Sequence, residues 1–379
     1  MATEPVEIEG KVRSAEEKID RQPLVDPAGF LKGAQAAVPI AVIGIFLMGL
    51  VAFVYFARPF LMPVVLALLL SFLLKPVVRL LARMKLRESV GAFIVILFFL
   101  GILGYAIARL TQPAADWISS APETIRIAET KIRHLLRPAA QISKAAEKVE
   151  EITKPEGSEF TPKVEVKQTR LAGDLWSYTK SFLAGALETV ILLYFLLAAG
   201  DMFTRKLVRI MPSVHDREKT VEFAHKLQYN ISTYLFTITL INTGLGTAVG
   251  FGVKLVGLPN PILWGVVAGL LNFIPYFGPI TGVVVLALAG LVTFDSVGLA
   301  MVSPVIYLVL HGLEANIVTP LILGRRLTLN PVMIFVSLIF WTWIWGIPGA
   351  LLSIPMLMMS KIFCDHFESL APIGEFLGD

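Results

Sequence analysis

Residues 271–280 read LNFIPYFGPI and place an asparagine, a glycine and two prolines at the centre of the apolar stretch 262–292. One straight helix over that stretch would be roughly 45 Å long, whereas the hydrocarbon core of a bilayer is about 30 Å thick. Proline costs about 3 kcal/mol in a helix interior, and glycine costs about 1 kcal/mol. The stretch therefore predicts two half-length helices that turn back on one another inside a membrane.

The composition of the whole chain is that of a membrane protein. Of its 379 residues, 55% are hydrophobic and 16% are charged, and the mean hydropathy is +0.72. Soluble domains carry about a quarter charged residues, so the surplus apolar surface predicts contact with lipid. The net charge of +4 lies in short basic loops and reports on topology, not on nucleic-acid binding. The single cysteine, Cys364, excludes an intramolecular disulfide and a cysteine-cluster metal site.

Apolar segments long enough to cross a bilayer, which takes about twenty residues, recur along the chain. They predict an all-α integral membrane protein with about eight transmembrane segments, including two broken or re-entrant helical hairpins, plus a small helical insert outside the membrane. The predicted organisation is a polar cytoplasmic tail (1–37), membrane segments 1–3 (38–111), an extracytoplasmic insert and linker (112–180), membrane segments 4 and 5 (181–253), a transport core in which two hairpins flank one span (254–363), and a cytoplasmic C-terminal tail (364–379).

Apolar side chains form a helical stripe through the polar insert. Most of them recur in steps of seven residues, which places them on one face of a helix. Pro138 interrupts the stripe, so we expect two helices, followed by a flexible charged linker over 154–167. Such a stripe packs either on its own protein or on a neighbouring subunit, and both interpretations remain open here. The stripe consists of Ile118, Ile125, Ile132, Ile142, Val149 and Ile152.

Short basic loops set the orientation, because they stay in the cytoplasm. The loops at 75–87 and 201–226 are rich in Lys and Arg. They place the insert outside the cell and let the 262–292 hairpin begin and end outside. The next span then returns Arg325 and Arg326 to the cytoplasm, whereas a crossing helix at 262–292 would leave both arginines outside.

The stretch near the C-terminus repeats the shape of the first hairpin. Both stretches begin with an Asn-Pro pair, at 260–261 and at 330–331, and both carry Pro and Gly 14 to 18 residues after that proline. Two hairpins of opposite orientation on either side of one span are the layout of an inverted repeat in a transporter. The alternative is a pair of membrane helices kinked by proline.

The hairpin tips are the candidate solute site. Non-helical backbone at membrane depth is satisfied only by surrounding protein or by a water-filled cavity, so the tips mark a cavity. Half-helix ends direct partial charges at it, and Trp rings suit stacking on a solute, although Trp also forms belts at membrane interfaces. The candidate solute-binding residues are Asn242 on the fifth span, Asn272, Pro275, Tyr276, Gly278, Pro279 and Thr281 at the first tip, and Trp343, Trp345 and Gly346 at the second.

An acid within the apolar segment LVLHGLEANIVTPLIL, residues 308–323, is the candidate coupling group. An acid at the centre of a membrane helix costs about 2.5–3.5 kcal/mol on insertion scales unless it is paired or hydrated, so such acids mark proton or cation sites. His311 and Glu314 are three residues apart and share a helix face. We therefore expect Glu314, His311 and Asn316 to couple transport to protons or cations. The alternative is a structural pairing of Glu314 with His311 or with a backbone N–H at a hairpin tip.

Four stretches carry a family resemblance: ARPFLMPVVLALLLSFLLKPVVRLL (57–81), VGLPNPILWGVVAGLLNFIPYFGPITG (256–282), HGLEANIVTPLILGRRLTLNPV (311–332) and GIPGALLSIPM (346–356). Together they resemble the AI-2E family, the autoinducer-2 exporter-like permeases, from about residue 38 to 363. The resemblance implies eight membrane segments per protomer, a soluble helical insert after the third, and homo-oligomers similar to a pentameric ring. It also implies a multi-pass location in the bacterial inner membrane.

Three functions fit these observations. The first is a secondary transporter that exports a small polar organic solute such as autoinducer-2, coupled to protons through Glu314. The second is a Na⁺(Li⁺)/H⁺ antiporter, an activity that the family resemblance also implies; such a protein usually has two buried carboxylates. The third is a membrane scaffold that acts through the insert. The sequence has no HExxH, GxSxG or GxxxxGK[ST] motif, so neither an enzyme nor a cofactor is expected.

Overall fold

A computed structural model of the chain describes residues 27–120, 123–126, 129–131, 168–200, 202, 205–206, 209, 214–323 and 329–378. These residues are helical apart from short turns, and the extended pairing among them is an isolated bridge between Leu329 and Gly378. The all-α prediction is confirmed.

Ten helices carry labels below. Their bounds are α1 Pro27–Phe56, α2 Arg58–Arg83, α3 Glu88–Ser119, α4 Gln168–Ala198, α5 Val214–Val256, α6 Pro261–Leu271, α7 Phe277–Thr293, α8 Val302–Leu313, α9 Pro331–His366 and α10 Ala371–Leu377. Four short elements lie between them: a helical turn at Val297–Ala300, a π-helical turn at Glu314–Val318, a helix at Thr319–Leu323 and a 3₁₀ turn at Glu368–Leu370.

Many of these helices have the length and composition of membrane spans. Five in the described ranges are long and apolar enough to cross a bilayer: Arg58–Arg83, Glu88–Ser119, Thr220–Val256, Val297–Leu323 and Pro331–His366. Four shorter apolar helices accompany them: Ala41–Phe56, Leu183–Ala198, Pro261–Leu271 and Phe277–Thr293. The chain is therefore a multi-pass membrane protein.

The chain divides into two compact units, Met1–Arg58 and Pro59–Asp379. In the first unit, α1 exposes apolar side chains around its whole circumference, among them Val42, Ile43 and Met48. A helix that is hydrophobic all round is typical of a membrane span. All contacts described below lie in the second unit.

The predicted break at the quoted stretch is present. Helix α6 ends at Leu271 and α7 begins at Phe277. Between them, the Phe277 N–H donates to the Pro275 carbonyl at 2.6 Å, which closes a γ-turn around Tyr276 with φ 62° and ψ −54°. A γ-turn of this hand is rare and strained, especially for a residue other than glycine. The tip thus holds strain at the point where the chain reverses.

Glycines let α6 lie directly on α5. A methyl group on Gly246 would lie 2.6 Å from the Gly265 carbonyl oxygen, and one on Gly269 would lie 2.8 Å from the Asn242 carbonyl oxygen. Two glycine pairs at four-residue spacing, Gly246 with Gly250 and Gly265 with Gly269, therefore face one another. This close approach aligns the end of α6 with the polar middle of α5.

The two ends of the first hairpin contact the end of α3 and the chain that follows it. The ring of Trp117, in the last turns of α3, contacts Trp264 in α6 with centroids 4.9 Å apart. Lys131 donates to the carbonyl oxygens of Leu291 and Phe294, at 2.8 and 2.7 Å, where α7 ends. The start of α6 and the end of α7 therefore lie at the same end of the helix pair, as a hairpin requires.

Helix α9 also folds back on itself. Ser337 donates to the Ser353 carbonyl at 2.8 Å, although sixteen residues of straight helix would separate them by about 24 Å. The reversal occurs at Gly346, whose φ of 65° and ψ of −142° are open to glycine almost alone. A methyl group on Gly349 would overlap the Trp341 carbonyl oxygen, just as one on Gly278 would overlap that of Leu271. The two breaks thus share a buried glycine two or three residues after the reversal.

The predicted stripe in the insert is described in part. Ile118 lies in α3, which continues through Ser119, and Ile125 is exposed. The remaining members, Ile132, Ile142, Val149 and Ile152, lie outside the described residues, as do Pro138 and the 154–167 linker.

Candidate functional site

The buried carboxylate of Glu314 lies at the centre of the candidate site. Glu314 as a whole is 7% exposed. The Thr319 hydroxyl donates to Glu314 Oε1, and Asn272 Nδ2 donates to Glu314 Oε2 at 3.3 Å. His311 Nδ1 lies 3.4 Å from Glu314 Oε2, without hydrogen-bond geometry. Two polar partners thus hold the carboxylate, and an imidazole lies beside it.

A π-helical turn creates the bond between Glu314 and Thr319. It spans Glu314–Val318, and the Thr319 N–H donates to the Glu314 carbonyl five residues earlier. This wider turn brings side chains five positions apart onto one face, where an α-helix would align positions three or four apart. Single π turns occur frequently at functional sites. No sequence pattern pointed to this turn.

Two asparagines connect Glu314 to the first hairpin and to α5. Asn272, the first residue after α6, donates through Nδ2 to Asn242 Oδ1 at 2.8 Å as well as to Glu314. Asn242 is 1% exposed. The three side chains come from the end of α6, from α5 and from the π turn. Movement of any one of them therefore alters the hydrogen bonds of the other two. The structure therefore brings Asn242, Asn272, His311 and Glu314 together from the predicted set.

Four buried polar atoms, in this cluster and along α8, have no hydrogen-bond partner among the described residues. They are Asn242 Nδ2, Ser303 Oγ, Tyr307 OH and His311 Nδ1. Ser303, Tyr307 and His311 recur every four residues on one face of α8, and the Tyr307 and His311 rings stack with centroids 6.0 Å apart. Unpaired buried polar groups are costly, so this row is a candidate binding place for water or for a polar ligand.

Several predicted residues lie away from Glu314. Asn316 is exposed, and its Nδ2 donates to the Gly312 carbonyl at 2.8 Å. Thr281 is exposed on α7, and Trp343 is 63% exposed on α9. Tyr276 is 48% exposed and contacts the Phe335 ring with centroids 6.0 Å apart, which links the first tip to α9.

The remaining predicted residues shape the two tips. Pro275 supplies the carbonyl that closes the γ-turn, while Gly278 and Pro279 lie in the first turn of α7. Proline is compatible with that turn, because the first helical N–H groups lack intrahelical acceptors in any case. In the second hairpin, Trp345 is buried, contacts the Trp341 ring and has no partner for its Nε1 among the described residues, whereas Gly346 is exposed.

A groove of about 500 Å³ begins at Asn242 and follows the seam between α5 and α6. Volumes of about 300–1,000 Å³ are typical of small-molecule sites. Along α5 its lining runs from Asn242 to Lys254, and it includes both glycine pairs. Its lining comprises Asn242, Thr243, Gly246, Thr247, Gly250, Phe251, Lys254, Pro261, Ile262, Gly265, Val266, Gly269, Leu270 and Phe273.

Long apolar helices, two folded-back hairpins and a buried carboxylate that bonds to the tip of one of them are the architecture of a multi-pass membrane transporter. The chain belongs to the AI-2E transporter family: the profile of the AI-2E family transporter matches residues 43–369. The family resemblance carried by the four sequence stretches is thereby confirmed.

Individual relatives agree with this assignment. The chain is 25% identical to YueF of Bacillus subtilis over 317 residues, which is 82% of this chain and 85% of YueF. It is 26% identical to YrrI of the same organism over 323 residues, 80% of this chain and 86% of YrrI. It is 22% identical to the AI-2 transport protein TqsA of Escherichia coli over 366 residues, 94% of this chain and 99% of TqsA.

Proposed function

We propose that the protein is a secondary transporter that exports a small polar organic solute of the autoinducer-2 type in exchange for protons. The observation that carries the proposal is the placement of Glu314. The carboxylate is buried, yet it bonds to Asn272 at the tip of the first hairpin. A proton on Glu314 would remove the acceptor charge that holds Asn272. Protonation and the position of the tip are therefore coupled.

The solute site is proposed at the hairpin tips and in the adjoining groove. Asn242 belongs to both the Glu314 cluster and the lining of the groove. Its unpaired Nδ2 is a donor for a hydroxyl or carbonyl oxygen of a solute. The indole N–H of the buried Trp345 has no partner among the described residues and is a second candidate donor. A small, hydroxyl-rich solute suits this combination of apolar walls and few donors.

Eight membrane segments follow if each folded-back pair enters and leaves on one face. Helices α1 to α5 and α8 would cross, while α6 with α7 and the two halves of α9 would be re-entrant hairpins of opposite orientation. The contacts of Trp117 and Lys131 with the two ends of the first hairpin support this arrangement. The insert at 112–180 would then be extracytoplasmic, and the tails at 1–37 and 364–379 cytoplasmic, in the bacterial inner membrane.

Cysteine labelling tests this topology. In a Cys364→Ser background, Asp295→Cys should react with an impermeant thiol reagent added to intact cells, because the exposed loop after α7 would lie outside. Lys85→Cys should react only after the membrane is opened. Labelling of Asp295→Cys only after lysis, or labelling of Lys85→Cys in intact cells, would contradict the re-entrant arrangement. Total labelling after lysis controls for expression.

A liposome flux assay tests the function. Purified protein is reconstituted with autoinducer-2 inside, and its release is measured with and without an imposed pH gradient, beside empty liposomes. We expect release to rise with the gradient and a trapped pH dye to report opposite proton movement. Proton movement without solute release, dependent on added Na⁺ or Li⁺, would instead support antiport. No gradient-dependent flux of any kind would leave a membrane scaffold.

One observation favours the Na⁺(Li⁺)/H⁺ antiport alternative. Glu314 Oε2 and Asn242 Oδ1 both accept from Asn272 Nδ2, and the Thr319 hydroxyl bonds to Glu314 Oε1. Such oxygens are ligands for hard cations. In the part of the chain that the structure describes, no group of three or more His, Cys, Asp or Glu side chains is placed to hold a metal ion. A weak Na⁺ site would therefore depend on Glu314 as its one charged ligand.

The oligomeric state is proposed from the family resemblance, which implies a homo-oligomer similar to a pentameric ring. Cross-linking of the detergent-solubilised protein measures the number of subunits, which is given by the largest cross-linked species on a gel.

A further inference from the structure

A second polar site lies between the C-terminal half of α2 and the N-terminal half of α5. We call it the basic groove. Its volume is about 1050 Å³, and it has no residue in common with the Glu314 cluster. It is lined by Lys75, Pro76, Arg79, Leu80, Arg83, Glu222, His225, Lys226, Gln228, Tyr229, Ser232 and Thr233.

Helical spacing concentrates positive charge in this groove. Lys75, Arg79 and Arg83 are four residues apart and project from one face of α2. Lys226 adds a fourth cation from α5, whereas Glu222 is the one acid in the lining, so the net charge is +3 with His225 neutral. Charges enclosed by two helices repel one another more strongly than charges spread over an open surface. An anion in the groove would relieve that repulsion.

Hydrogen bonds fix the inner end of the groove. Lys75 Nζ donates to Gln228 Oε1 at 2.8 Å, and Ser232 Oγ donates to the Phe72 carbonyl at 2.6 Å. Both bonds join α2 to α5. The two walls are therefore held at a set separation, with Arg79 and Arg83 one and two turns further out.

The rim of the groove is apolar on its α2 side. Leu80 and Tyr229, both in the lining, are exposed, and Val77 and Met84 are exposed apolar residues close to Leu80 in the sequence. Since α2 is long and apolar enough to span a bilayer, this rim lies where that span ends in basic residues. Lys and Arg at such a position contact phosphate groups, and Tyr is enriched there. A bound phosphate in the groove would leave room for acyl chains along Val77 and Leu80.

We propose that the basic groove binds a phosphate ester of net negative charge. Two sources share this chemistry: the headgroup of an anionic phospholipid and a free phosphate ester. Arginine pairs bidentately with phosphate, and Arg79 and Arg83 project from the same helix face. A zwitterionic headgroup binds less well, because its ammonium group meets the same positive charge.

The test is a calorimetric titration of the detergent-solubilised full chain with three probes: short-chain phosphatidylglycerol, short-chain phosphatidylcholine and glycerol phosphate. Phosphatidylglycerol is expected to bind at least about tenfold more tightly than phosphatidylcholine. Binding of phosphatidylglycerol without glycerol phosphate identifies lipid as the source, whereas comparable binding of glycerol phosphate identifies a free ester. Equal affinity for the two lipids, or no saturable binding of any probe, overturns the proposal.

Matched variants separate the groove from general surface charge. Arg83→Gln with Lys226→Gln removes two charges from the lining and should weaken phosphatidylglycerol binding at least about tenfold, since a charge-assisted bond of about 1.5–3 kcal/mol is lost. Lys85→Gln with Arg87→Gln removes two charges from the adjoining loop and should leave affinity within about twofold. Glu222→Gln should tighten binding, because it removes the one acid. An equal loss in both double variants overturns the proposal.

Discussion

Glu314→Gln is expected to lower the proton-gradient-driven flux of solute at least about tenfold. Glutamine keeps the size of the side chain but cannot gain or lose a proton. Without that proton exchange the variant loses the flux that the gradient drives, and a tenfold loss of rate corresponds to about 1.4 kcal/mol in the barrier. The measurement is initial release from liposomes across a range of imposed gradients.

The variant should fold, because the surrounding bonds can be kept. The amide oxygen can accept from Asn272, and the amide nitrogen can donate to the Thr319 hydroxyl, which is able to accept as well as donate. Thermal unfolding should therefore stay close to that of the parent. If the variant retains the parent's response to the gradient, Glu314 is structural and proton coupling must arise elsewhere.

Glu188→Gln is the matched control. Glu188 lies in α4, also within an apolar helix, but it is exposed and outside the Glu314 cluster. The same change of acid to amide should leave gradient-driven flux within about twofold. A similar loss of flux in both variants would show that removal of any acid from a membrane helix impairs the protein. That result would contradict a specific coupling role for Glu314.

The helix breaks were predictable because their physics is local. Proline lacks an N–H, and glycine tolerates positive φ, so FIPYFGP and GIPG mark breaks whatever surrounds them. The exact residues at which the helices end and begin were harder to predict. The sequence indicates Pro275 to Pro279 as the breaker, yet α7 already begins at Phe277, because the first turn of a helix accepts proline.

The composition of the site was predictable only in part. Glu314 stood out because an acid in an apolar helix is costly. Asn316 was grouped with it by proximity in sequence, but residues two apart do not share a helix face, and Asn316 bonds to Gly312. Thr319 was missed because its contact depends on the π turn. The bond between Asn242 and Asn272 depends on glycine packing between helices, which no local pattern encodes.

Gly278→Ala is the second change with a large expected effect, because a methyl group there would overlap the Leu271 carbonyl oxygen. The α6 backbone that carries the Leu271 carbonyl cannot move away easily, since the two glycine pairs hold α6 against α5. Overpacking of this kind costs about 1–3 kcal/mol. We expect a lower unfolding temperature and a loss of flux of at least about tenfold.

The loss of flux follows from geometry rather than from stability alone. Residues 272–276 connect Leu271 to the helix that carries Gly278, so any opening there moves Asn272, which bonds to both Asn242 and Glu314. Gly101→Ala in α3 is the matched control, because a methyl group at Gly101 meets no atom within 4 Å and alanine favours helix. That variant should keep full flux at an equal or higher unfolding temperature. If Gly278→Ala matches the parent in both measurements, the chain does not close tightly at this tip, and the link from Glu314 through Asn272 to the hairpin cannot be the element that couples protons to transport.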